Sequence, residues 1–92
     1  MTWQLRMYRV KEGAFDAFVE EWRDRLVPLR RKYGFEIRGP WRGEDGRFVW
    51  MVGHDDFVKA DATYYAAPER ARIDPSPTRH LDEIETLLLE EL

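Results

Sequence analysis

An arginine and a tyrosine two residues apart near the start of the chain have the types and spacing to do chemistry. Arg6 and Tyr8 lie in a segment of alternating apolar and polar residues, so they project from the same face of a predicted strand. Arg6 could hold a carboxylate or an enolate, and Tyr8 could donate a proton or a hydrogen bond. The structural alternative, which we favour, makes Arg6 a cross-strand polar partner of Gln4 or Glu85.

A histidine in the middle of the chain is the candidate base. His54 follows a predicted strand and comes directly before Asp55 and Asp56. Its imidazole could act as a general base or as a metal or haem ligand. Its position beside a helix start favours a loop residue without a catalytic role, and His80, in a proline-rich loop, is a weaker candidate still.

Three aromatic side chains could line a ligand pocket, namely Trp22, Trp50 and Tyr64. The chain has four Trp, four Tyr and five Phe among 92 residues, and aromatic side chains that a core does not bury tend to mark interfaces or ligand pockets. Both tryptophans occur at core spacing, however. The structural alternative, in which they simply fill the hydrophobic core, is favoured.

The composition argues against several kinds of site. The chain has no cysteine, which excludes disulfides, thiolate metal sites and thiol catalysis. The two histidines form no helical pair, so no metal site is predicted, and haem would depend on a single axial histidine. Neither a glycine-rich phosphate loop nor a nucleophile elbow occurs. We therefore predict no cofactor.

The charges argue against nucleic acid as a partner. The net charge is -3, and the basic residues alternate with acidic ones along the first predicted helix. We assign its basic cluster to a solvated helix face; it comprises Arg23, Arg25, Arg30, Arg31 and Lys32. No segment approaches the roughly 20 apolar residues of a membrane span, and the start lacks the apolar run of a signal peptide. We expect a cytoplasmic protein without membrane contact.

Strands and helices must position these candidates. Residues 2–10 predict a strand, with Trp3, Leu5 and Met7 on one face and Gln4, Arg6 and Tyr8 on the other. Which of these faces the helices cover is left open by the sequence. Residues 15–33 have apolar side chains every three or four positions, which predicts an amphipathic helix of about five turns. Pro28 should bend or loosen that helix, and Gly34 should end it.

A hairpin and a second helix follow. Residues 35–42 and 47–53 predict two strands joined by a tight turn at Asp45-Gly46. Gly39-Pro40 indicates an edge strand or a bulge. A second helix is expected from Phe57 until shortly before Pro68, and Asp55 and Asp56 are the residues expected to cap it.

The sequence of the C-terminal segment is compatible with either a helix or a strand. Residues 73–78 should form a loop, because two prolines lie two positions apart. Residues 80–92 have the spacing of a helix, but a sheet built from two strand-helix-strand units needs a fourth strand. We predict a strand. The chain as a whole, residues 1–92, is expected to form one domain.

Several short sequence segments, in the same order as these elements, resemble those of a known protein family. The chain resembles the NIPSNAP-like proteins of the dimeric α/β-barrel superfamily over roughly residues 2–70. The segments that carry the resemblance are Gln4 to Tyr8, Val10 to Gly13, Trp22 with Val27 to Leu29, Tyr33 to Phe35, Phe48 to Trp50, Asp55 to Phe57 and Ala67 to Glu69. The end of the chain departs from the family, with an abbreviated loop at residues 74–78 and a different last strand.

The resemblance implies a ferredoxin-like α+β fold, a four-stranded antiparallel sheet with two helices on one face. It also implies that the open face meets a second copy and that the two sheets close into a dimeric barrel. NIPSNAP-like proteins mostly have no assigned reaction. Other branches of the superfamily are cofactor-poor monooxygenases, haem-degrading enzymes and isomerases, so the fold constrains function only by analogy.

Three functions are compatible with these observations. The first is a homodimeric binding domain that holds a small aromatic or apolar ligand, either in the barrel or between sheet and helices. The alternative is a cofactor-independent monooxygenase or isomerase acting on an enolisable aromatic or polyketide-like substrate, with Arg6, Tyr8 and His54 as catalytic residues. A haem-binding or haem-degrading protein is a further alternative.

The third strand supplies the main argument for a homodimer. Both of its faces are apolar, with Phe48, Trp50 and Val52 on one and Val49 and Met51 on the other. Each apolar side chain left exposed forfeits about 1.5 to 3 kcal/mol of burial, so both faces of the sheet need cover. A second copy provides that cover, unless the C-terminal segment folds back as a helix and leaves a monomer.

Overall fold

The chain folds into a four-stranded antiparallel sheet with its helices packed on one face. The computed structural model describes residues 1–92, and the strand order is β2-β3-β1-β4. The elements are β1 (Thr2–Val10), α1 (Phe15–Glu21), a π-helical segment (Trp22–Leu26), α2 (Val27–Lys32), β2 (Glu36–Arg42), β3 (Phe48–His54), α3 (Phe57–Ala66), α4 (Pro68–Ala71), a 3₁₀ turn (Pro77–His80) and β4 (Leu81–Glu90). The predicted ferredoxin-like fold and the C-terminal strand are both confirmed.

The two faces of β1 have different surroundings, which the sequence left open. Tyr8 lies in the core with the apolar sides of the helices, and its ring stacks on that of Phe48 at 5.9 Å between centroids. Arg6 and Tyr8 therefore face the helices. Trp3, Leu5 and Met7 lie on the opposite face, which no element of this chain covers.

The first helix changes its winding just before Pro28, where a bend was predicted. The N–H of Val27 donates to the carbonyl of Trp22, five residues back, so the segment between them is π-helical. Pro28 has no N–H to offer the carbonyl of Asp24, so regular α-helical bonding cannot continue through it. The wider turn keeps Trp22 and Leu26 buried in the core.

The β2 strand lies at one edge of the sheet and carries the bulge that Gly39-Pro40 indicated. The pairing with β3 shifts register between Arg38 and Trp41. Gly39 has a φ of +107°, a conformation that a side chain would strain. The edge strand β2 tolerates this bulge, because Pro40 lacks an N–H and at an edge no further strand needs a hydrogen bond from it.

Two expectations about local structure were wrong. Asp56 precedes α3 at the N-cap position, but no carboxylate caps the helix; instead the N–H of Asp56 donates to Nδ1 of His54 at 2.9 Å. The proline-rich loop is also shorter than expected. Pro77 opens the 3₁₀ turn, where a proline is tolerated, and the Ser76 hydroxyl accepts from the N–H of Thr78.

None of the helices has the length and apolar character needed to cross a membrane.

Candidate functional site

Arg6 is buried against the helices and bonded only to neutral groups. Its residue exposure is 8%. Its Nε donates to the Tyr8 hydroxyl at 2.6 Å and one terminal nitrogen donates to Oε1 of Gln4 at 2.6 Å. The other terminal nitrogen donates to the Tyr65 hydroxyl at 3.3 Å. The predicted partnership with Gln4 is confirmed, whereas Glu85 is not a partner because it lies on the other face of the sheet.

A second buried arginine lies beside the first. Arg30 is only 2% exposed, with its guanidinium 3.9 Å from the ring centroid of Tyr64 and 4.7 Å from that of Phe35. Its Nη1 donates to Oδ1 of Asp61 at 2.7 Å, and its Nη2 donates to the Tyr65 hydroxyl at 3.2 Å. The Tyr65 hydroxyl thus accepts from both arginines and joins them into one cluster.

The assignment of Arg30 to a solvated helix face was wrong. Arg30 follows Leu26 by four residues and Trp22 by eight, so it belongs to the buried stripe of the helix rather than to its charged face. That spacing was the available signal. An arginine on a buried stripe must find partners there, because a buried charge without them is costly.

The two arginines border a small pocket between the sheet and the helices. Its cavity measures about 20 Å³, which is room for about one water molecule and far below the 300 Å³ or more of a typical small-molecule site. Trp50, Tyr64 and Tyr65 also line it, and Arg70 and Thr78 lie at its outer side. A ligand of several atoms therefore needs side chains to move before it can enter.

Burial keeps the phenols of Tyr8 and Tyr64 protonated. It raises the pKa of Tyr8, and the neighbouring Arg6 guanidinium opposes that rise only in part. Burial likewise raises the pKa of Tyr64, against the opposing effect of Arg30. Tyr8 is therefore suited to donating a hydrogen bond rather than to acting as an anionic base near neutral pH.

The two tryptophans occupy the core, as the structural alternative proposed. The Trp22 and Trp50 ring centroids are 5.4 Å apart in an edge-to-face arrangement. Trp50 and Tyr64 also touch the small pocket, but Trp22 does not line it. The indole nitrogens of Trp22 and Trp50 are buried without a hydrogen-bond partner of good geometry.

His54 lies apart from Arg6 and Tyr8. The β1–β3 register places it opposite Thr2, four positions from Arg6, or roughly 13 Å along the strand. It borders a separate, shallow groove with Tyr33 and Lys59. Its Nδ1 accepts the N–H of Asp56, so a neutral ring carries its proton on Nε2. The lone pair of Nδ1 is thereby engaged, which is unfavourable for a general base.

Groups that could hold a metal do not assemble in the fold. The chain has no cluster of three or more histidine, aspartate and glutamate side chains. His80 is bonded through Nε2 to Glu21 at 2.7 Å, and the same carboxylate accepts from Arg79.

The uncovered face of the sheet is the other candidate site. Residues directly opposite each other in antiparallel strands share a face, so the registers define its members. Its apolar part, which we call the open face, consists of Trp3, Leu5, Met7, Trp41, Val49, Met51, Leu87 and Leu89. Trp41 is 50% exposed and Leu87 is 53% exposed, which is unusual for large apolar side chains at the surface of a sheet.

Solved structures share this fold from end to end. A NIPSNAP domain protein from Burkholderia xenovorans, itself uncharacterised, superposes with a TM-score of 0.85 at 21% identity, over 100% of this chain and 95% of its own. A NIPSNAP family protein of unknown function from Agrobacterium tumefaciens gives 0.80 at 22% identity, over 97% and 86% of the two chains. This chain has the NIPSNAP fold.

The same fold occurs in a solved structure that is described as an enzyme. An antibiotic biosynthesis monooxygenase superposes with a TM-score of 0.73 at 18% identity, over 100% of this chain and 99% of its own. Identities this low show the fold alone. No protein-family model matches the sequence, and a search of the curated proteins finds no match.

Proposed function

We propose that this chain is a NIPSNAP-like domain that works as a homodimer, closing two open faces into one barrel that holds a small aromatic or apolar ligand. The observation that supports this most directly is the open face itself. No part of the chain covers this apolar surface, because the C-terminal segment forms the edge strand β4 beside β1 and not a helix across the open face.

The apolar centre of the open face favours a second copy over solvent. Met51 lies between Leu5 on β1 and Arg38 on β2, and Leu87 lies beside Leu5 on the other side. Half-exposed side chains such as Leu87 and Trp41 each gain about 1 kcal/mol on full burial. In a two-fold dimer every such contact occurs twice, so a few residues supply a substantial free energy of association.

The edge of the open face is polar, as the rim of a protein interface usually is. Arg9 lies 3.9 Å from Glu83, and Arg47 lies 3.3 Å from Glu85. These exposed pairs contribute little to the stability of one chain. They present both signs of charge, so two copies related by a two-fold axis can meet without repulsion.

The proposed ligand site lies between the two sheets of the dimer, because a single chain offers little enclosed space. The pocket between sheet and helices holds about 20 Å³, and the groove beside His54, of about 310 Å³, is open to solvent, so an aromatic ligand is better enclosed between the two sheets of a dimer. Trp41 lies half exposed on this face and would offer a flat surface there. An enzyme of the monooxygenase or isomerase type is less well supported, because His54 is distant from Arg6 and its Nδ1 accepts the N–H of Asp56.

Sedimentation equilibrium at micromolar concentration tests the dimer. We expect a mass near twice the 11.1 kDa of one chain. Leu87→Glu should shift the equilibrium to monomer, because it places two carboxylates in the barrel while disturbing little in the single chain. Val58→Glu is the matched control, since Val58 is an even more exposed apolar residue on α3. A concentration-independent mass of one chain for the unmodified protein would refute the dimer.

Thermal unfolding in the presence of a panel of small aromatic compounds tests the ligand. A binder should raise the melting temperature in a concentration-dependent way, and Leu87→Glu should abolish the shift along with the dimer. A panel without any shift, measured on a protein shown to be dimeric, would remove the ligand part and leave the dimer in place.

A further inference from the structure

The pocket between sheet and helices has many hydrogen-bond donors and few acceptors. The Tyr8 and Tyr65 hydroxyls each accept from arginine, so their own O–H groups remain free to donate. Nε of Arg70 is buried without a partner, and Nε1 of Trp50 faces the Tyr8 hydroxyl without a hydrogen bond of good geometry. The pocket is thus lined by donors from four side chains, two tyrosines, one arginine and one tryptophan.

The positive charge of the pocket exceeds the negative charge around it. Arg6, Arg30 and Arg70 all line it, and Asp61 is the one carboxylate bonded to any of them, through Arg30. Arg70 donates to the uncharged hydroxyl of Ser76.

The other acids on the surrounding elements are engaged elsewhere. Glu69 is bonded to Lys32 and to the Tyr33 hydroxyl. Glu21 is bonded to Arg79 and His80. Burying guanidinium groups with an excess of positive charge is unfavourable unless an anion joins them.

We infer that this pocket is a binding site for one small anion, held by the guanidinium groups of Arg6 and Arg70 and by the hydroxyls of Tyr8 and Tyr65. Arginine is suited to this role, because its planar group donates two parallel hydrogen bonds to a carboxylate and keeps its charge when buried. The site is independent of the proposed dimer, since none of its residues belongs to the open face.

The size of the pocket restricts the anion. A cavity of about 20 Å³ admits an ion of about the size of a water molecule, such as chloride. Tyr65 is half exposed, and Thr78 at the outer side is exposed. Rotation of Tyr65 toward solvent would give up its hydroxyl contact but widen the entrance for the head of an organic carboxylate, which Arg6, Arg70 and Tyr8 would then hold with the rest of the molecule directed outward.

Chloride and carboxylate titrations test the inference. Binding of chloride is followed by ³⁵Cl line broadening in NMR, and formate and benzoate are then added as competitors at constant ionic strength. We expect saturable binding of one chloride per chain that formate displaces. Displacement by benzoate as well identifies organic acids as the occupants, whereas displacement by formate alone identifies a site restricted to the smallest anions.

Charge variants separate a specific site from general attraction. Arg70→Gln should weaken chloride binding about tenfold, because it removes a charged donor from the pocket. Arg72→Gln makes the same change in net charge two residues away at an exposed position and should leave the affinity unchanged. Asp61→Asn removes the one local carboxylate and should strengthen binding. Equal effects of Arg70→Gln and Arg72→Gln, or no saturable binding at all, would overturn the inference.

Discussion

Removing the charge of Asp61 should destabilise the fold more than any other single loss of a carboxylate. Asp61 accepts from Nη1 of Arg30 at 2.7 Å, and the Arg30 guanidinium is otherwise surrounded by the rings of Phe35, Tyr64 and Tyr65. Asp61→Asn keeps the size and one acceptor oxygen, so it removes the charge with little change in shape. Arg30 would then be a buried cation without a counter-ion.

The size of the stability loss in Asp61→Asn depends on how deeply Arg30 and Asp61 are buried. Removing one member of a fully buried ion pair costs about 3 to 5 kcal/mol, because the remaining charge stays desolvated. The Arg30 side chain is 2% exposed, but that of Asp61 is 24% exposed, so water already screens part of the interaction. The aromatic rings around Arg30 also stabilise the cation to some extent. We therefore expect a loss of about 2 kcal/mol in the free energy of unfolding.

Urea unfolding followed by circular dichroism measures this loss. Asp82→Asn is the control, because Asp82 is an exposed aspartate that forms no salt bridge. The double variant Arg30→Met, Asp61→Asn should recover much of the loss, since it leaves no buried charge. If Asp61→Asn and Asp82→Asn are equally stable within about 0.5 kcal/mol, Arg30 does not depend on its counter-ion and the reasoning fails.

Two further changes test other parts of the fold. Gly53→Ala would place a Cβ 2.7 Å from the nearest ring atom of Trp3, so it should cost about 1 to 3 kcal/mol in urea unfolding; Trp3→Val should remove most of that cost, and a stable Gly53→Ala protein with an undisturbed Trp3 would contradict the contact. The Arg79 hydrogen bond holds the pKa of Glu21 below its ordinary value, despite partial desolvation and with help from His80. Glu21 therefore stabilises the fold above its ordinary pKa and loses that contribution as the pH falls through the lowered value. Glu21→Gln should be less stable than the unmodified protein near neutral pH, and the difference should shrink as the pH falls below the ordinary pKa of a glutamate, whereas Glu20→Gln should show no such trend.

The order of elements was predictable because it depends on local patterns. The alternating residues of β1, the short apolar run of β3, the three-and-four spacing from Phe15 to Tyr33 and the turn at Asp45-Gly46 each specify an element without reference to distant parts of the chain. Pro28 and Gly39-Pro40 marked irregularities that the structure contains. The strand at the C-terminus was less determined locally, and its prediction required the topological argument that a sheet of this type needs a fourth strand.

The roles of polar residues were less predictable, because they depend on which elements pack together. Asp61 is 31 residues from Arg30 in sequence, and no local pattern connects them. The grouping of Arg6 with His54 failed for the same reason, since strand register placed them at separate positions along the sheet.

The sequence by itself determined the four strands, the helices between them and the need to cover two apolar faces. Hydrophobic periodicity is sufficient to predict these features, because it identifies the side of each helix or strand that must be buried. Only the tertiary structure decided that Arg6 and Tyr8 face the helices, that Arg30 joins them, and that the pocket between them is small and rich in donors. Those properties arise where side chains from separate segments meet, and their energies depend on burial and distance, which a sequence pattern does not specify.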